Sequence, residues 1–281
     1  MQNEDLSIFD YVFCWFCYIN LILSIIKLIE DKMNLEHDIQ EAGVQMILLV
    51  EDSIRFYSSI LPNLYNYILE QSKNFSQEAL NRHAATMRMR GRPKVVLART
   101  YEEAQKLYDK YSDNTLGVIS DARFPLKSAA KAFGNEVMPE EKPKHRTDTF
   151  GREKCPDAGL QLFRYIRKND PFVPLIIESS ESENRVKAEA EGFRFVDKNS
   201  KKMSVDLRRL MEEHMGFGDF IFRDPKTHEE IMRIHSLKEL QDNIFNIPND
   251  SMLYHISRNH MSRWLCARAI LPVSALLRHV T

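Results

Sequence analysis

Short runs of branched aliphatic residues alternate with amphipathic stretches along the middle of the chain. Five runs predict strands, and the first of them is apolar on both faces, which is typical of a strand buried inside a parallel sheet. They lie at Val44–Val50, Lys94–Ala98, Leu116–Ser120, Val173–Ile177 and Phe193–Val196. The stretches that follow predict helices over Ser53–Lys73, Tyr101–Tyr111, Asp157–Asn169, Glu181–Glu191 and Met203–His214. This alternation predicts an α/β fold with a central parallel sheet and helices on both faces.

The leading segment carries an apolar run from Tyr11 to Ile29. Its length would just span a bilayer, but a buried strand over Tyr11–Trp15 and an amphipathic helix over Asn20–Met33 also account for it. The second interpretation is favoured, so we expect no membrane segment. No basic stretch precedes the run and no small-residue cleavage site follows it, which argues against a signal peptide.

Polar residues separate the other predicted elements. We expect a polar bridge over Asn34–Gly43, an insertion over Asn74–Arg92, and a mobile loop or flap over the proline-rich connection Phe124–Pro156. Residues 217–281 predict a small, mostly helical C-terminal extension. Within it we expect a short strand over Phe217–Phe222, a helix from Ser236 to Asn243, and a longer helix from Asn249 or Asp250 toward Ala269.

Composition narrows the classes of function. The 281 residues include 39 basic and 40 acidic side chains and carry a formal net charge of −1, so no nucleic-acid partner is expected. Four cysteines scattered over this length favour a reducing compartment, and we expect a cytoplasmic protein. Cys14 and Cys17 form a C-x-x-C inside an apolar run, which favours incidental thiols over a metal or redox site.

Chemically active residues follow the predicted strands. Glu51 and Asp52 follow the first strand, Asp121 the third, Ser179 the fourth and Lys198 the fifth. The carboxyl ends of parallel strands lie along one edge of the sheet, so we expect these side chains to meet there. Carboxylates suit Mg²⁺, an aspartate can attack a phosphoryl group, and an ammonium would offset charge on its oxygens.

Four short motifs carry a resemblance to a known family. They are ILLVEDS at Ile47–Ser53, SDARFP at Ser120–Pro125, IIESS at Ile176–Ser180 and FVDK at Phe195–Lys198. In this order, and at these strand ends, they resemble the signature blocks of response-regulator receiver domains of two-component signalling. The segment DAGLQL at Asp157–Leu162 resembles the start of the family's third helix. The resemblance implies a flavodoxin-like (βα)5 receiver over residues 44–216.

The resemblance also implies a role for each residue of the predicted edge. The implied roles are Mg²⁺ ligation by Glu51, Asp52 and Asp121, phosphoryl acceptance by Asp121, phosphoryl contact by Lys198, and switching by Ser179 and Phe195. The implied partner is a histidine kinase or a phosphotransfer protein. The chain would then act in a phosphorelay and would not itself be an enzyme.

Three features depart from the family pattern. The insertion over Asn74–Arg92 and roughly thirty extra residues between Pro125 and Asp157 lengthen the domain. Asn199 stands where the family usually has a proline after the lysine. This substitution leaves the geometry of that loop open.

Two further resemblances concern the ends of the chain. Residues 1–40 resemble the last strand and helix of a preceding receiver-like domain, so that the chain would start inside a domain. Leu253–Leu265 resembles a region of large phosphoenolpyruvate-synthase-like proteins that carry a receiver ahead of their catalytic half. This second resemblance implies a downstream output module that the sequence does not contain.

Two alternatives to phosphosignalling remain open. A dehalogenase-like phosphohydrolase also uses an aspartate nucleophile, but it wants a second aspartate where Arg123 stands. A phosphate-independent scaffold would keep the fold without the chemistry. In the extension, His255 and His260 are spaced five apart, which favours surface or structural histidines over a metal pair. Arg258, Arg263 and Arg268 favour a solvated helix face over DNA binding.

Overall fold

The computed structural model of the chain describes residues 10–127 and 147–278. Its strands, in chain order, are β1 (Met46–Val50), β2 (Lys94–Ala98), β3 (Thr115–Asp121), β4 (Phe124–Pro125), β5 (Lys154–Cys155), β6 (Leu175–Ser179), β7 (Arg194–Asp197), β8 (Phe220–Arg223) and β9 (Glu230–Ile234). Its α-helices are α1 (Ile19–Ala42), α2 (Ile54–Gln77), α3 (Arg82–Arg90), α4 (Tyr101–Tyr111), α5 (Ala158–Asn169), α6 (Ser182–Ala190), α7 (Met203–His214), α8 (Leu237–Asn243), α9 (Asn249–Ile256), α10 (His260–Ala267) and α11 (Leu271–Arg278).

A five-stranded parallel sheet forms the centre of the fold, in the order β2-β1-β3-β6-β7. This is the flavodoxin-like order, whose switch point lies between the first and third strands. The predicted α/β fold is therefore confirmed. All five predicted strands form, with boundaries shifted by at most two residues.

Both faces of the sheet are buried, and successive side chains of a strand point to opposite faces. On one face, Ile47 and Leu49 of β1 pack with α2 and α7. On the other face, Leu48 and Val50 pack with α4, α5 and α6. Burial on both sides explains why β1 is a continuous aliphatic run, whereas β7 at the edge of the sheet contains the exposed Arg194.

The strand expected over Tyr11–Trp15 is wrong. Residues 10–17 pair with no strand in the described part of the chain. Side chains of α2 bind this segment in place of a neighbouring strand: the Tyr57 hydroxyl donates to the Val12 carbonyl, and the Cys14 amide donates to Ser58 Oγ at 3.0 Å. The first apolar side chains of the segment, Tyr11 to Cys14, therefore pack against the core without entering a sheet, whereas Trp15 and Phe16 are exposed.

The first helix is longer than predicted. It was expected to end at Met33, but α1 continues to Ala42 and ends at Gly43, whose φ of 67° forms a left-handed C-cap. The polar bridge is therefore wrong, because Leu35 is buried and the polar residues around it form the solvent face. The division of the chain at residue 40 stays a prediction. None of the described helices, α1 included, combines the length and the apolar character that a membrane span requires.

The two predicted irregular regions contain secondary structure. Asn74–Arg92 holds the end of α2 and the whole of α3, which Asn81 caps by accepting from the Ala84 amide at 2.8 Å. In the connection after β3, β4 pairs with β5 in an antiparallel hairpin. The flap expected over Phe124–Pro156 is thus structured at both ends, and residues 128–146 lie outside the described residues.

The C-terminal extension is mostly helical, as predicted, but it begins with the antiparallel hairpin β8–β9. The expected helix from Asn249 toward Ala269 is divided into α9 and α10 at Asn259, which has a φ of 58°. Trp264 of α10 and Phe222 of β8 lie in a core of their own. Arg268 joins the extension to the end of α7 by donating to the Gly216 carbonyl at 2.8 Å.

Candidate functional site

The predicted polar residues come together at the carboxyl edge of the sheet. Val50 is level with Ser120 in the pairing of β1 with β3, and Asp121 is level with Glu178 in the pairing of β3 with β6. The strands therefore end together, and the residues that follow them enter one shared space. In a sheet of this order, that edge is where ligands bind.

Three carboxylates form the acidic site. Glu51, Asp52 and Asp121 each offer an oxygen within 4.8 Å of the others. The side chains of Glu51 and Asp52 are fully buried, whereas that of Asp121 is 14% exposed. Asp121 is thus the carboxylate of this group that solvent reaches, as a nucleophile requires.

Lys198 bridges two members of the acidic site. Its Nζ lies 2.9 Å from Asp121 Oδ1 and 2.5 Å from Glu51 Oε2, and the ammonium also lies over the Phe56 ring. Burial alone would lower the pKa of Lys198, but the surrounding carboxylates, foremost Asp121, raise it above its ordinary value. The side chain therefore stays a cation although it is 2% exposed.

Backbone contacts fix the phosphoacceptor candidate. Asp121 Oδ1 accepts from the Ala122 amide at 2.8 Å, and the Ala122 carbonyl accepts from the Gly159 amide at 3.1 Å. A Cβ at Gly159 would lie 2.3 Å from the Asp121 carbonyl oxygen. Only glycine permits the start of α5 to approach the loop this closely, which gives the DAGLQL motif a structural reason.

Lys154 is a site residue that the sequence analysis missed. It lies in β5, at the end of the long connection, and its Nζ is 2.6 Å from Asp52 Oδ2. The connection was interpreted as a mobile loop, and no pattern of strand ends marks this lysine. Its place depends on the β4–β5 pairing, which two-residue strands do not signal in a sequence.

Glu178 is a fourth buried carboxylate near the site, and it also went unassigned. It is fully buried, and neither of its side-chain oxygens has a hydrogen-bond partner in the described residues. Burial, countered by Lys198 and reinforced by Asp121, raises the pKa of Glu178 to about 7. The IIESS motif contained this residue, but its sequence position gave no sign that its side chain feels the charges of Lys198 and Asp121.

Burial acts on the other acids in the same direction. It raises the pKa of Asp52 to about 6 against the attraction of Lys154. It also raises the pKa of Glu51, where repulsion from Asp121 adds to burial and Lys198 opposes it. Buried Asp52 Oδ1 has no hydrogen-bond donor among the described residues. Burial disfavours the negative charge of these carboxylates, and a hard dication such as Mg²⁺, which prefers oxygen ligands, would offset that charge.

The two switch candidates lie on neighbouring strands. Ser179 Oγ accepts from the Asn184 amide group at 2.9 Å and from the Glu181 backbone amide at 3.1 Å, which leaves its proton available to donate. Phe195 is half-buried, and the Arg185 guanidinium lies 4.7 Å from the centre of its ring. The Ser179 side chain is therefore held toward α6, and the Arg185 guanidinium covers the Phe195 ring.

Two polar contacts connect the loops around the opening. Arg123 forms an ion pair with Glu181 at 3.0 Å. Arg123 occupies the position at which a dehalogenase-like phosphohydrolase would need a second aspartate. Asn199, in the place of the family's proline, donates from its side chain to the Ser180 carbonyl at 3.1 Å. The departure at Asn199 thus adds a link between the loops after β6 and β7.

The polar residues of the extension lie elsewhere. A cavity of about 530 Å³ separates the amino-terminal edge of the sheet from the extension, and His255, His260 and Arg263 line it. His255 and His260 contact each other through their Nδ1 atoms at 3.0 Å, because the break at Asn259 turns α10 back. Their Nδ1–Nδ1 contact and the burial of His255 agree with the structural role expected for them.

The solvated arginine face expected in this segment is wrong. Arg263 and Arg268 are buried, with 6% and 2% exposure. Arg268 donates to the carbonyls of Gly216 and Gly218. Arg263 donates to the Arg258 carbonyl at 3.1 Å and lies 3.7 Å from Asp170, so neither buried guanidinium is available as part of a surface stripe.

Comparison with known proteins adds little. No family model and no curated protein match the chain. Among solved structures, it is similar to one described as the crystal structure of a response regulator receiver domain protein from Clostridium thermocellum. The two are 18% identical, with a TM-score of 0.34, and the match covers 61% of this chain and 94% of that one. A likeness this weak carries no argument, so the case for function depends on the site itself.

Proposed function

We propose that the chain is a receiver-type phosphoacceptor that takes a phosphoryl group on Asp121. One observation carries the proposal: the partly exposed Asp121 carboxylate lies 2.9 Å from the buried Lys198 ammonium and beside Glu51 and Asp52. A nucleophilic carboxylate, a fixed cation and two further oxygen ligands are what transfer to an aspartate requires. Without Lys198 in this position, the acids would be ordinary polar residues at a strand end.

The proposed step begins with a phosphohistidine on a histidine kinase or phosphotransfer protein. An oxygen of Asp121 attacks the phosphorus, an O–P bond forms, the N–P bond breaks, and the leaving imidazole takes up a proton. Mg²⁺, held by Glu51, Asp52 and Asp121, would neutralise charge on the phosphoryl oxygens. The Lys198 ammonium, already beside Asp121 Oδ1, would bind one of those oxygens.

The response would pass through the two switch candidates. A phosphoryl group brings about −1.5 to −2 charges to Asp121. The Ser179 hydroxyl would leave Asn184 and Glu181 and donate its proton to a phosphoryl oxygen. Phe195 would then move inward from under Arg185. Such a change shifts a balance between two existing states of the face formed by α6 and β7.

The proposal sets the cellular context. Histidine kinases draw their phosphoryl group from ATP, so we place the chain in the cytoplasm. The output is a partner or an attached module, and a phosphoenolpyruvate-synthase-like output stays a prediction. We expect the chain to accept and release phosphoryl groups without acting as an enzyme on other substrates.

Intact-mass analysis with acetyl phosphate and Mg²⁺ tests the proposal. The wild-type chain should gain the mass of one phosphoryl group, and Asp121→Asn should gain none. Asp157→Asn is the control, since this exposed aspartate lies outside the acidic site and pairs with Lys187. Sustained release of inorganic phosphate would instead favour a phosphohydrolase. No labelling, together with no binding of beryllofluoride, would favour a scaffold.

A further inference from the structure

The chain after residue 146 returns to the acidic site through folded structure. Thr147 forms a β-bridge with Glu153, and Asp148 Oδ1 accepts from the Phe150 and Arg152 amides at 3.0 and 2.7 Å. The Arg152 side chain closes this turn with a buried ion pair to Asp148 at 2.6 Å. The residues just before Lys154 thus have fixed positions.

The strand that follows brings Lys154 to the acids. Lys154 is level with Pro125 in the pairing of β4 with β5. Pro125 lies four residues after Asp121 in the sequence. Its side chain is 17% exposed, and its ammonium contacts the fully buried Asp52 carboxylate. Lys154 therefore sits on an expected oxygen ligand of Mg²⁺, and the backbone on both sides holds it there.

The charges explain why a second lysine is stable at this place. Glu51, Asp52, Asp121 and Glu178 bring four carboxylates to the site, and Lys198 provides a single ammonium among them. Lys154 adds a second positive charge where the excess of acids is greatest. A dication bound at the same oxygens would lie within a few ångströms of this ammonium, and the repulsion in a buried site is strong.

We propose that Lys154 is an internal counter-cation of the acidic site and that it competes with Mg²⁺ for Asp52. This inference rests on the proposed function, since it treats Asp52 as a metal ligand. For Mg²⁺ to bind, Lys154 must leave Asp52, so the hairpin that carries it weakens the binding of the metal. Removal of the ammonium should therefore tighten Mg²⁺ binding although it removes a stabilising contact.

Isothermal titration calorimetry with MgCl₂ tests this on the full chain. Lys154→Met should bind Mg²⁺ about tenfold tighter than wild type or more, because the competing charge is gone. Lys154→Arg, which keeps the charge, should bind as weakly as wild type. Lys168→Met is the matched control: it removes one charge from an exposed lysine at the other end of α5 and should leave the affinity unchanged.

The outcomes separate the inference from the proposed function. Equal or weaker Mg²⁺ binding by Lys154→Met, or no binding by any variant, overturns the competition. If Lys154→Met does not fold, Lys154→Gln takes its place with the same expectation. Tighter binding by the variant, combined with no phosphoryl uptake on Asp121 in the mass assay, would uphold the competition and overturn the phosphoacceptor.

Discussion

Asp31 of α1 and Arg92, just before β2, form a buried two-pronged ion pair. The Asp31 oxygens accept from the guanidinium at 2.7 and 3.1 Å, and one of them also accepts from the Tyr65 hydroxyl and the Val95 amide. Asp31 is fully buried and Arg92 is 4% exposed. The first helix is therefore tied to the edge of the central sheet by charge as well as by apolar packing.

Asp31→Ala should lower the free energy of unfolding by about 3–5 kcal/mol, because it leaves a buried guanidinium without its counter-charge. Urea unfolding followed by circular dichroism measures the change. Glu36→Ala on the same helix is the control: Glu36 pairs with Lys110, and both side chains are more than half exposed. The control should lose about 1 kcal/mol at most. Equal losses for both variants would contradict the buried role of Asp31.

Gly159→Ala should lower both stability and phosphoryl uptake. In an ordinary helix this change would stabilise by about 0.5–1 kcal/mol. Here the added Cβ would meet the Asp121 carbonyl at 2.3 Å, and we expect the clash to cost about 1–3 kcal/mol. Urea unfolding and the mass assay measure the two effects. A variant as stable as wild type would show that the loop after β3 yields easily.

Lys198→Gln should slow phosphoryl uptake from acetyl phosphate by about 100-fold, as is typical when one fixed charge-stabilising group is lost. The rate of mass gain provides the measurement. Lys202→Gln, a few residues further on and exposed, should leave the rate unchanged. If both variants behave alike, the short contact between Lys198 and Asp121 has no part in the chemistry.

The histidine pair should make the fold sensitive to acid. Burial, reinforced by nearby arginines, lowers the pKa of His255 to about 4, and burial with the charge of His255 lowers that of His260 to about 3. In the unfolded chain the two histidines bind protons near pH 6.5, whereas in the folded chain they stay neutral at that pH. The contribution of the two histidines to the free energy of unfolding is therefore fully present above pH 6.5, and it falls below that pH by about 1.4 kcal/mol per pH unit for each histidine.

Unfolding in urea at several pH values between 7 and 4.5 checks this slope. His260→Gln should flatten the slope, since one of the two groups is removed. His37→Gln should not, because His37 is 77% exposed. An unchanged slope in His260→Gln would mean that other groups govern the acid response.

Much of the fold could be predicted because its signals are local. The aliphatic run of β1 is continuous, since both faces of the sheet are covered there, and Tyr101–Tyr111 and Met203–His214 form helices with the predicted boundaries. Glu51, Asp52, Asp121 and Lys198 were found because the ends of parallel strands meet at one edge. The alternation of strands with helices and the positions at which strands end depend on residues that are neighbours in the sequence.

The errors have the opposite cause, since they depend on residues far apart in the sequence. Residues 10–17 look like a strand, but Tyr57 and Ser58 of α2 bind the Val12 carbonyl and the Cys14 amide, and none of the described strands pairs with this segment. Lys154 reaches Asp52 across about a hundred residues of chain, and only the folded hairpin brings them together. Arg268 was expected to face solvent, but it is buried because the carbonyls of Gly216 and Gly218, about fifty residues earlier, accept its hydrogen bonds.

The pairing of β4 with β5 holds the two ends of the long connection together. We call this two-residue pairing the clasp. Doubling the length of an enclosed loop costs only about 0.6 kcal/mol. Derivatives whose sequence is shortened or lengthened between Pro125 and Thr147 should therefore lose little stability. The clasp would hold Lys154 against Asp52 in every such derivative.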